Sequence, residues 1–164
     1  MNAYVTADNN WGISLKGMPI VSIPAEKKTK LEEIAGSVVI YDLKGMENLP
    51  GQQPLKGCTN LIFTDGFETN VRGAKTFSDI EDLKKEALNY PTEQVNIISS
   101  EKLYKAFFEN LDIVHVTKVD YSYNVDAYFE NLDKRDDFVI TADSDEMYCF
   151  DIVYSFLRYE RRTK

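Results

Sequence analysis

Short apolar runs alternate with helical spacings over the first two thirds of the chain, and strand-like runs alone follow. Residues Asn2–Ala7 (NAYVTA) read as a first strand, with Asp8-Asn9-Asn10 turning the chain into Trp11-Gly12-Ile13. After a loop through Lys16-Gly17-Met18-Pro19, Pro24 suits a first helical position, and residues 26–35 form a short helix that carries Leu31 and Ile34 inward. Gly36 stops that helix, residues 38–41 (VVIY) read as a buried strand, and 42–49 as a short helix or turn ended by Pro50-Gly51. A strand at 60–64 (NLIFT), an edge strand near 74–77, and a helix reaching about Leu88 come next. Ser78 and Glu81 have the spacing of a capping box for that helix.

The pattern is densest over residues 94–111, QVNIISSEKLYKAFFENL. Val95, Ile97 and Ile98 form a β-branched run, and Leu103, Tyr104, Phe107, Phe108 and Leu111 form one helical stripe. Ser99-Ser100-Glu101 stands between them, at the junction where open α/β sheets present free backbone amides to a ligand. Ile113–Val119 then alternates as a strand, followed by an acidic and aromatic loop around 124–129. Strands at 138–141 and 147–158 close the chain, the second long enough to bend, paired antiparallel through Asp143-Ser144-Asp145. This order predicts an α/β fold: a mixed sheet with a parallel centre, helices covering it, and an antiparallel C-terminal hairpin at its edge.

At 164 residues with no linker-like stretch, a single domain over residues 1–164 is expected. The net charge of -8 argues against a broad nucleic-acid surface, while leaving room for a local basic pocket. Cys58 and Cys149 imply no disulfide framework, and the chain shows neither a signal peptide nor a spanning apolar run, so a cytoplasmic location without membrane contact is expected. No zinc-ligand spacing occurs, no metal is expected, and His115, inside an alternating run, reads as a structural residue. Monomer and homodimer both fit.

The segments AYVTADNNWGI, IPAE, PLKGCTNLIFT, EKLYKAFF, VTKVDYSYNVDAYFENLD and YSFLRYERR, in this order and spacing, resemble the dihydrofolate reductase family along essentially the whole chain. The resemblance implies a three-layer sandwich with a mixed, largely parallel sheet and helices on both faces. It also implies NADPH as cofactor and a folate or other small molecule as ligand. Glu26 matches the acidic residue that contacts the pterin ring and assists proton delivery, and Thr117 the strand threonine that supports it. Read without the resemblance, Glu26 favours a helix dipole and Thr117 is an ordinary strand residue. Val5, Thr6, Trp11 and Gly12 match walls of the site, although Trp11 also reads as a loop anchor.

Several matches carry altered chemistry. Ile20 or Val21 stands in place of the family's tryptophan, Lys30 where an aromatic packs on the ligand, and Cys58 where an arginine clamps the folate carboxylate. At the cofactor end, Asp42-Leu43-Lys44 replaces a glycine and arginine, leaving Lys44 as a donor, and Asp65 lies beside the matched Thr64. Ser99 and Ser100 replace two adjacent glycines joined by a cis peptide, so their Cβ atoms obstruct close approach of a pyrophosphate, and Glu101 repels it. Read alone, Ser99 or Ser100 caps the following helix. The expected function is therefore the family's reduction of 7,8-dihydrofolate with activity weak or lost. The alternatives are a noncatalytic small-molecule or protein-binding member of the fold, and a reductase acting on another substrate.

Overall fold

The computed structural model describes residues 1–163. In β4 (Val38–Asp42), Val38 and Ile40 point into one apolar cluster and Val39 and Tyr41 into another, on the opposite face. An uninterrupted VVIY run is stable only where both faces of a strand are covered, and this strand is central. Beside it run β5 (Thr59–Phe63) and β7 (Val95–Ile97), both parallel to it, and β6 (Lys75–Phe77) pairs with β5 at the edge. On the other side of β7, β1 (Asn2–Ala7) and β8 (Ile113–Val119) continue the parallel centre.

Among the described residues, four α-helices cover the sheet. Leu31 and Ile34 of α1 (Pro24–Ile34) and Leu43 and Met46 of α2 (Leu43–Met46) pack with Val39, Tyr41 and Ile62. Leu83 and Ala87 of α3 (Ile80–Ala87), with Leu103, Tyr104 and Phe107 of α4 (Glu101–Phe107), pack on the other face against Ala3, Val38, Ile40 and Val95. Helices thus lie on both faces of a mixed, mostly parallel sheet, as the residue pattern predicts. Gly36 ends the turn after α1 at φ +75°.

The C-terminal arrangement differs from expectation. The run 147–158 is not one bent strand: it divides into β11 (Met147–Cys149) and β12 (Ile152–Arg161), a hairpin closed by Cys149 opposite Ile152. Phe150 at its tip has φ +56° and is 99% exposed, so a two-residue turn exists without glycine or asparagine to announce it. The expected antiparallel pairing at the sheet edge is present: β10 (Phe138–Asp143) is the edge strand, and β12 lies between it and β8, antiparallel to both.

Two further departures are local. Asp79, not Ser78, caps α3, its carboxylate accepting from Glu81 N at 2.7 Å, while Ser78 Oγ donates to Glu68. Within the predicted loops, β2 (Gly12–Leu15), β3 (Met18–Pro19) and β9 (Ala127–Tyr128) form a separate three-stranded sheet. Among the described residues, no helix is long and apolar enough to cross a membrane.

Candidate functional site

The carboxyl ends of the parallel strands open into a cleft of about 870 Å³, bounded by α1, α2, the start of α4 and the small sheet. A smaller cavity of about 260 Å³ lies under α1. Glu26 borders both, with Tyr4, Val5 and Lys30. Pro24 starts α1, which places Glu26 in its first turn. Its side chain is only 12% exposed, and Oε1 lies 3.9 Å from Lys30 Nζ one turn along.

Of the residues singled out in the sequence, Val5, Thr6, Glu26, Lys30, Lys44, Ser99 and Ser100 line the large cleft, and Thr117 lines the smaller cavity beside Glu26. No direct hydrogen bond joins Thr117 to Glu26 among the described residues. Trp11, Gly12, Ile20, Cys58 and Thr64 are not among the lining residues. Trp11 is a buried anchor, its ring edge-on to Tyr159 and under Lys118 Nζ at 3.9 Å. Gly12 N donates to the buried Asp8 carboxylate at 2.8 Å, which also accepts from Asn10 N and Tyr123 N and so ties two loops together.

Ile20 packs with Ile23, Val119 and Tyr154, leaving neighbouring Val21 on the cleft wall. Cys58 packs beside Ile34 with its thiol toward the Ile34 carbonyl. The Thr64 hydroxyl donates inward to the carbonyls of Phe67 and Phe77, so it is not offered to a ligand.

Two carboxylates that line the cleft are engaged by the chain's own donors. Asp42 caps α2, Oδ1 accepting from Gly45 N at 2.7 Å and from Ser99 Oγ at 3.2 Å, while Ser99 Oγ accepts from Asp42 N. Gly45 presses on Ser99 so closely that a Cβ there would overlap the serine side chain. On α4, Glu101 Oε2 accepts from Tyr128 N at 2.6 Å, bridging the helix start to the small sheet. Nearby cations are engaged too: Lys102 with Asp65 at 2.7 Å and Lys44 with the Lys16 carbonyl at 3.3 Å.

Ser100 contradicts its capping role. It stands at the N-cap with φ +66° and ψ 144°, makes no side-chain cap bond, and its hydroxyl is buried without a partner. That backbone conformation is one glycine enters freely and residues with a Cβ avoid. The Ser99–Ser100 peptide is trans, as are all peptide bonds among the described residues.

Sequence reasoning missed Tyr104, counted only as a core residue. It also lines the cleft and donates from its hydroxyl to the Tyr4 carbonyl at 2.6 Å, and burial pushes its pKa upward. His115, Tyr4, Glu33 and Arg158 were missed as cavity residues, because strand register brings the first, second and fourth together and the packing of α1 over them brings Glu33.

The family model described as "Dihydrofolate reductase" matches residues 1–161. No curated protein matches. Among solved structures, dihydrofolate reductase from Enterococcus faecalis complexed with NADP(H) and RAB-propyl is similar, with a TM-score of 0.79 over 99% of this chain and 96% of that one. At 16% identity this likeness concerns the fold.

Proposed function

The chain belongs to the dihydrofolate reductase family, and from that premise we propose that it is a divergent member that binds a small aminoheterocycle at Glu26 but holds NADPH weakly or not at all. A largely buried carboxylate at the meeting of two cavities suits a ring edge with adjacent N–H donors, since its two oxygens accept both at once. Thr117 and the Val5 wall limit where that ring lies.

The residues present do not fit the phosphates of a dinucleotide. The observation that carries this reading is the pair of internal carboxylates, Asp42 and Glu101, each hydrogen-bonded to backbone amides along the cleft. A phosphate entering there meets negative charge and amides already satisfied, in place of free donors. Of the lysines that line the groove, Lys102 is paired with Asp65, Lys30 lies beside Glu26, and Lys44 reaches the Lys16 carbonyl. The family's hydride transfer therefore lacks its cofactor seat, and the chemistry left to the chain is recognition of the ring at Glu26.

Titrating the purified protein with NADPH by fluorescence, then following dihydrofolate-dependent loss of NADPH absorbance, tests the reading. No saturation at micromolar cofactor is expected. Saturation there with dihydrofolate-dependent turnover overturns it.

A further inference from the structure

The cavity under α1 has a floor set by strand register. Tyr4 pairs with His115 and His115 with Arg158; one step along, Thr6 pairs with Thr117 and Thr117 with Phe156. Side chains two apart share a face of a sheet, so these two rows lie side by side beneath the helix. Glu26, Thr29, Lys30 and Glu33, spaced three, four and seven along α1, supply the roof.

The His115 end is chemically unused. Its ring stacks on Tyr4 with centroids 4.4 Å apart and planes 14° from parallel, and Tyr4 Oη donates to Glu33 at 2.9 Å. Neither imidazole nitrogen has a hydrogen-bond partner among the described residues, and neither is sealed away as Arg158 Nε is. Burial lowers the His115 pKa below its ordinary value, so at neutral pH the ring offers one donor and one acceptor.

We propose that His115 is the second polar anchor of this cavity, meeting the edge opposite Glu26 of a small, uncharged, planar aminoheterocycle without a charged tail. Carboxylates and cations both line the space, with Glu26 beside Lys30, so a charged ligand meets no field of one sign, whereas a neutral ring with N–H donors and ring-nitrogen acceptors finds partners for both. A volume of about 260 Å³ falls just below the roughly 300–1,000 Å³ of pockets that take drug-sized ligands, which suits one or two fused rings. The inference rests on the reading of Glu26 as a ligand contact.

Free pterin, followed by its own fluorescence, is the probe. Wild-type protein quenches it saturably, and Glu26→Gln weakens binding. His115→Phe weakens it about tenfold, while His115→Gln, which keeps a donor and an acceptor, stays within about threefold. The chain has one histidine, so its imidazole resonances report directly, without reliance on a variant's folding; pterin shifts them. Equal binding by wild type and His115→Phe, or unmoved histidine resonances on saturation, overturns the role of His115 and leaves the Glu26 reading standing. Absence of saturable binding to the wild type overturns both.

Discussion

Glu101 Oε2 accepts a hydrogen bond from Tyr128 N at 2.6 Å, fastening the first turn of α4 to β9 across the mouth of the cleft. With the Asp42–Ser99 contact, it leaves the groove lined by carboxylates already engaged by the protein's own donors.

Removing both carboxylates should reopen the groove to phosphate. The double variant Asp42→Gly, Glu101→Gly is expected to bind NADPH at least about tenfold more tightly than wild type, the equivalent of about 1.4 kcal/mol. Fluorescence titration of the two proteins at matched ionic strength measures the change. Unchanged affinity would mean that these charges do not limit cofactor binding.

Ser100 presents the opposite case, a position where deleting a side chain stabilises the protein. Its positive φ and unpartnered buried hydroxyl both disfavour serine. Ser100→Gly is expected to raise the unfolding free energy by about 1 kcal/mol, read from the urea midpoint at unchanged slope. A destabilised variant would show that the serine contributes something beyond its present contacts.

Asn60 organises the loop before β5. One buried side chain accepts from Tyr41 Oη at 2.7 Å and Leu55 N at 3.0 Å, and donates to the carbonyls of Leu55 and Cys58. Asn60→Leu strands all four groups and should cost about 3 kcal/mol, whereas Tyr41→Phe, which removes one donor, should cost about 1 kcal/mol. Chemical denaturation of the two variants distinguishes a network hub from a single bond, since equal losses contradict the hub.

The C-terminal strands carry the clearest acid response. Arg135 chelates Asp137 at 2.8 and 2.9 Å, Arg161 adds a contact at 2.7 Å, and these hold the Asp137 pKa down at about 2 against an ordinary 3.8. Because the folded value is depressed, this stabilisation is present above the ordinary value and is lost as pH falls toward the folded one. Thermal midpoints measured from about pH 5 down to about pH 2 should fall less steeply for Asp137→Asn than for wild type. Parallel curves would remove Asp137 from the acid limb.

Much of the architecture was legible in the residue pattern because burial imposes its own period. The bounds of β1 and β8 follow directly from alternation, and VVIY at β4 announced a strand covered on both faces. Ser99 and Ser100 could be selected because they lie at a strand-to-helix junction, where local chain geometry already implies an open site, whereas Glu26 and Lys44 were selected through the family resemblance.

What lay beyond local pattern depended on partners distant along the chain. The β11–β12 turn lacks the glycine or asparagine that usually marks one, and β2, β3 and β9 are too short to reveal themselves before they pair. Thr64 turned inward because its hydroxyl found two carbonyls, and Ser100 could not cap because its backbone follows a path suited to glycine. The sequence by itself determined which segments bury their faces, the order of helices and strands, and the presence of Asp42 and Glu101 near a phosphate-type junction. Only the tertiary structure decided that Glu101 meets Tyr128 N, that Asp42 meets Ser99, and that His115 shares a cavity with Glu26, because each outcome brings together residues far apart in the chain.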